Sequence, residues 1–131
     1  MYRRYKDHEP GQLATAAALL GHLLTGGKRD DAQFIAGIAA ISDMGPSKSD
    51  PRLNYFGTQV MFHAQGEAWT RWNEELRESL VKTQGNDGVA KGSWFFPDGD
   101  GAESGGRLYH TAVTTLTLEV YYRHLPVFRD P

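Results

Sequence analysis

From Gln12 onward the apolar residues recur at helical spacing. Leu13, Ala16, Ala17, Leu20, Leu23 and Leu24 follow the i, i+3, i+4, i+7 rule, and alanines fill much of the remainder. This predicts a first helix over 12–25, stopped by Gly26-Gly27. A second helix is expected over 30–43. Asp30 stands at its cap with Gln33 three residues on as a capping box, ahead of Phe34, Ile35, Ile38 and Ile41, and Met44-Gly45-Pro46 follows its end.

Asp50-Pro51 opens a third helix over 51–64, because a side-chain acceptor at the cap and a proline at the first helical position suit the unpaired amides there. Its run Tyr55-Phe56-Gly57-Thr58-Gln59-Val60-Met61-Phe62-His63-Ala64 is apolar on almost every side, which a helix tolerates only when surrounded. Gly66 is expected to break it, followed by a short turn carrying Trp69 and Trp72. Asn73 then caps a fourth helix over 73–84. Here Leu76, Leu80 and Val81 form a narrow apolar stripe, and Glu78 and Lys82 are paired four apart on a wet face, so the third helix reads as inner and the fourth as outer.

Residues 84–107 hold seven of the 15 glycines, and so long a connection in a small domain needs a structural reason. Beyond it, Tyr109, Ala112, Val113, Leu116 and Val120 predict a fifth helix over 108–123. The β-branched Thr111, Val113, Thr114, Thr115 and Thr117 favour a strand locally. The length and spacing of the run decide for helix. The expected organisation is a polar N-terminal edge over 1–11, one helical domain over 12–125 and a tail over 126–131.

Composition narrows the function. The 131 residues accommodate one domain and one core. A net charge of -2 lacks the broad positive footprint of nucleic-acid binding. No window approaches the roughly 18 consecutive apolar residues of a membrane span, so no membrane insertion is expected. The absence of cysteine excludes a disulfide framework, a thiolate zinc site and a cysteine nucleophile, and leaves the redox compartment open.

One spacing carries a resemblance. Gln84 ends the fourth helix, and Gly92-Ser93-Trp94 follows a glycine-rich stretch. A glutamine amide can pair with loose carbonyls while an indole covers a helix end. Further matching stretches are Asp50-Pro51 with 54–62, Gly66-Glu67-Ala68-Trp69 with Trp72-Asn73, and Gly105-Gly106-Arg107-Leu108-Tyr109 with 118–123. Together, over residues 13–125, these resemble the prenyltransferase/squalene-oxidase (squalene cyclase-like) repeats of large bacterial proteins. The resemblance implies an all-α fold of about five helices, a segment of an α/α toroid in which inner and outer helices alternate.

The same resemblance frames the candidate chemistry. Terpene cyclases of that superfamily use an aspartate-rich motif, which nothing here matches; Asp30-Asp31 is explained by capping. Its protein prenyltransferases hold zinc partly by cysteine, which this chain lacks. Tyr55, Phe62, His63, Tyr109 and His110 are the candidate ligand-lining residues for an apolar molecule, with Phe56, Tyr121 and Tyr122 as further aromatics; aromatics at helical spacing also serve simply as core. Asp98, Asp100 and Glu103 place three carboxylates within six residues, a composition calcium favours, without the glutamate that completes an EF-hand loop. Gln84, Gly92 and Trp94 read as structural residues of the repeat. No catalytic residue, transition metal or cofactor is assigned.

The expected function is a non-catalytic helical repeat module acting as scaffold or binding surface in a larger toroid, with protein or an apolar small molecule as partner. The alternative is a fragment of an enzyme or receptor acting on a hydrophobic, terpenoid-like substrate. An open segment leaves end-helix flanks bearing Leu13, Leu20, Leu24, Val113, Leu116 and Tyr121 uncovered. A homodimer would cover them, as would the chain's own tails through Tyr2, Tyr5, Leu125, Val127 and Phe128.

Overall fold

The structure, a computed structural model, describes residues 11–123, the side chain of Tyr121 apart. The expectations for the N-terminal edge before Gly11 and for the tail beyond Arg123 therefore lie outside the described residues. Within them the chain is all-helical: α1 (Gln12–Leu24), α2 (Ala32–Met44), α3 (Pro51–Ala64), α4 (Gly66–Thr83), α5 (Gly106–Leu118) and a single turn α6 (Val120–Arg123), with no strand.

Helix α3 is the centre. It packs between α1 and α5, while α2 and α4 pack against each other and against α3, and α2 also covers α1. Ten of its 14 residues are buried, from Pro51 and Leu53 to Phe62 and His63, as a run apolar on nearly every side requires. The core joins Ala16, Leu19, Leu20 and Leu23 of α1, Phe34 and Ile41 of α2, Leu53, Val60 and Met61 of α3, Trp72, Leu76 and Leu80 of α4, and Trp94 from the long loop. Leu20 thus faces inward and not along an open flank, whereas Leu24 is exposed.

Three local expectations are corrected. First, α4 starts at Gly66 and not at Asn73. Gln65 and Gly66 both adopt positive φ (62° and 72°), so the chain reverses within two residues and the next helix begins at once. Trp69 and Trp72 consequently lie on the helix, where Trp72 continues the stripe of Leu76 and Leu80. Second, α2 starts at Ala32 with Asp31 at the cap position, and no side chain bonds its first amides. The Asp31 carboxylate turns back instead, accepting from Lys28 N (3.0 Å) and from His22 Nε2 (2.8 Å).

Third, α5 starts at Gly106 and ends at Leu118, with Glu119 separating it from α6. Thr115 and Thr117 return their hydroxyls to the carbonyls of Thr111 and Val113, a habit that bends helices. The buried face also differs from the apolar stripe expected: it is His110, Thr114 and Thr117, continued by Val120, while Ala112 is exposed and Val113 and Leu116 are only half-buried. Hydrogen bonds of the His110 ring, described below, set that rotation.

The α1, α3 and α5 starts gather at one end of the molecule. The Gln12 amide meets the Met44 sulfur, so α2 ends where α1 begins. Arg52 on the first turn of α3 reaches Asp100, just upstream of α5. Trp94 covers the last turn of α4 at the same end, its Nε1–H donating to the Leu80 carbonyl at 2.8 Å.

Candidate functional site

That end is a rim built by caps and by the long loop. Asp50 caps α3 as its position before proline predicts, its Oδ1 accepting from Arg52 N (2.9 Å) and Leu53 N (3.2 Å). One turn on, Asn54 clamps the preceding loop: its Nδ2 donates to Ser47 O (2.9 Å) and its Oδ1 accepts from Ser47 N (2.8 Å). The glycine-rich stretch folds onto this rim. Gly85 N–H donates to Ser93 O and Gly92 N–H to Gly85 O, both at 2.8 Å, which closes the loop upon itself. Gly99 lies so close to the Ser49 carbonyl that a Cβ there would sit 2.3 Å from it, so only glycine fits this approach.

Gln84, Gly92 and Trp94 meet, in an arrangement that differs in one respect from expectation. The Gln84 side chain donates to Gly92 O (3.0 Å), a loop carbonyl and not a helix-end one. Trp94 takes the helix-end role with its indole N–H, and its backbone exchanges two bonds with Thr111 Oγ1, at 3.1 and 3.2 Å.

His110 is fully buried and joins loop to helix. The Phe96 N–H can only donate, so Nδ1 (3.1 Å) is the acceptor; the Asp100 carbonyl can only accept, so Nε2 (2.8 Å) carries the proton. The ring is thus the neutral Nε2–H tautomer, ringed by Phe95, Phe96 and Tyr109 with centroids 5.4–5.7 Å away. Tyr109 in turn lies against Gly101 and Gly105, where a Cβ would come within 2.4 and 2.5 Å of it. Burial pushes its phenol above the ordinary value, with the charges of Asp100 and Asp50 acting in the same direction and Arg52 opposing them.

Arg52 stands between two acids, with Nε 2.9 Å from Asp100 Oδ2 and 4.0 Å from Asp50 Oδ1. Despite the short separation its Nε makes no hydrogen bond, so the Asp100 contact is an ion pair without aligned geometry. Asp100 is therefore engaged by a cation of the chain. Asp98, Asp100 and Glu103 do not converge, and among the described residues no three His, Asp or Glu side chains are grouped to hold a metal ion.

The five aromatic and histidine positions do not form one cavity. Phe62 and His63 lie at the C-terminal end of α3, where Phe62 meets Trp69 edge-on at 5.4 Å. Tyr55 packs edge-on against Phe56 at 5.3 Å. Tyr109 and His110 belong to the rim at the other end; the eleven helical steps from Arg52 to His63 span about 16 Å. An open depression of about 610 Å³, edged among the described residues by Lys28, Arg29, Asp30 and Ala64, includes none of the five.

Sequence reasoning missed Arg52 and Asn54. Their only signal was position, two and four residues after the capping Asp50. Among the described residues no helix is long and apolar enough to cross a membrane. Comparison with protein-family models, with curated proteins and with solved structures finds no match.

Proposed function

We propose that this chain is a non-catalytic helical repeat module, a segment of an α/α toroid that acts as scaffold or binding surface in a larger assembly. The observation that carries this reading is the engagement of the rim's polar groups. Both His110 nitrogens, both Asn54 amide ends and the Asp50 cap bond the chain's own backbone. Asp100 faces Arg52. Groups so engaged hold a loop in place and leave little capacity for proton transfer or for a ligand. The side-by-side order α1, α3, α5, with α2 and α4 on the other side, is compatible with alternating inner and outer helices.

The test compares the module with its terpenoid-substrate alternative. Farnesol, added below its aggregation limit, is expected to leave the melting temperature unchanged, while His110→Ala lowers it. A saturable rise with farnesol would overturn the scaffold reading, because a ligand that binds the native state stabilises it by mass action.

A further inference from the structure

Among the described residues the row α1, α3, α5 ends at two edges, one at α1 with its covering helix α2 and one at α5. These edges differ from the rest of the surface in charge. Helix α4 carries Glu67, Arg71, Glu74, Glu75, Arg77, Glu78 and Lys82. Helix α1 carries no Asp, Glu, Lys or Arg, α2 carries only Asp43 and α5 only Arg107.

Those two charges lie at the same end of the molecule on opposite edges. Arg107 is exposed on the first turn of α5 and held in place: Nη1 donates to Ser93 Oγ (3.1 Å), and its guanidinium carbon lies 5.3 Å over the Phe95 ring. It makes no ion pair among the described residues. Beside it Leu108 is 83% exposed. Asp43 is exposed on the last turn of α2, where α1 begins, and likewise makes no ion pair among the described residues. Beside it Met44 is 50% exposed, and Ala14 and Ala18 are exposed on α1.

We infer that the α5 edge of one molecule docks on the α1/α2 edge of a second copy, head to tail, with Arg107 facing Asp43 and Leu108 packing against Met44 and the small residues of α1. The chain's own order supports this occupant: a second copy set beside α5 continues the row with an α1, and it keeps the ends carrying Arg107 and Asp43 level. Unlike charges face each other in that register, whereas a two-fold pairing of either edge with helices parallel sets like charges together, and one with helices antiparallel leaves each charge without an unlike partner across the contact. A head-to-tail contact either closes into a ring or extends into a chain of molecules. The inference rests on the scaffold reading, since it names that scaffold's partner.

The cysteine-free chain permits a direct test. Met44→Cys and Leu108→Cys proteins, which keep both charges, when mixed and mildly oxidised are expected to form the mixed disulfide faster than either forms its own. An excess of the Leu108→Cys homodimer, or crosslinking no faster than between Lys82→Cys and Leu108→Cys, overturns the inference. In sedimentation of the cysteine-free protein, mass should rise with concentration beyond the dimer. Asp43→Arg or Arg107→Asp alone should weaken association about tenfold or more, and the double swap should restore it. Circular dichroism on each variant identifies any that fails to fold. A single-chain mass at every concentration overturns the docking and leaves the scaffold reading to the farnesol test.

Discussion

Trp94→Ala isolates what the long loop does for the fold. The indole is 6% exposed and belongs to the core cluster although it arrives from a loop. A tryptophan buries roughly 150–250 Å², which at about 25 cal/mol per Å² bounds the apolar contribution near 4–6 kcal/mol. Truncation to alanine keeps the Cβ and leaves a cavity, so the expected loss is about 3–5 kcal/mol. Trp94→Phe separates the ring from its hydrogen bond. The Leu80 carbonyl that receives the indole N–H also accepts from Gln84 N at 3.1 Å, so it is not orphaned, and the phenylalanine variant should lose only about 1 kcal/mol. Urea unfolding followed by circular dichroism measures both, and the alanine variant's melting temperature should fall by about 10–20 °C. A loss below about 1 kcal/mol for Trp94→Ala at unchanged denaturant slope, or equal losses for the two variants, would refute the reasoning.

Gly57→Ala should destabilise although alanine is the better helix former, because the new Cβ would sit 2.6 Å from the Trp72 ring, which its 2.9 Å bond to Thr58 Oγ1 holds in place. A higher melting temperature would show that the ring can move aside. His110→Ala should cost about 1–3 kcal/mol by leaving the Phe96 N–H without its acceptor, and ¹⁵N shifts of the wild-type imidazole should report the Nε2–H tautomer. A dominant Nδ1–H form contradicts the rim geometry. The hydrogen bond from the Lys28 amide holds the Asp31 carboxyl below its ordinary value; desolvation, the next influence, opposes it, and the His22 ring adds to the lowering. Its contribution to stability is therefore present above the unfolded-state value and is lost as pH falls through the lowered folded one. Asp31→Asn should flatten the acid limb of the stability profile, and an unchanged limb removes Asp31 as its source.

Wherever apolar spacing or a cap of one residue type was enough, the sequence by itself determined the element. Helix α3 is the clearest case, since Asp50-Pro51 marks its start and a run apolar on all sides implies neighbours on all sides. Trp94 folding back on α4 was legible for a related reason: the glycine-rich stretch offers few other large apolar groups to hold it. Tertiary structure alone decided the α3–α4 turn, because positive φ at Gln65 is not a preference of glutamine and Gly66 reads equally as a stop or as a hinge. It also decided the face of α5. Periodicity turns Val113 and Leu116 inward, but the His110 imidazole bonds the backbone at Phe96 and Asp100, and those partners arrive from a loop 10 to 14 residues upstream. Apolar burial is non-directional and proportional to area, so a helix can rotate about its axis at modest cost. A buried imidazole with two backbone partners is directional and costly to leave unpaired, so its bonds set the rotation.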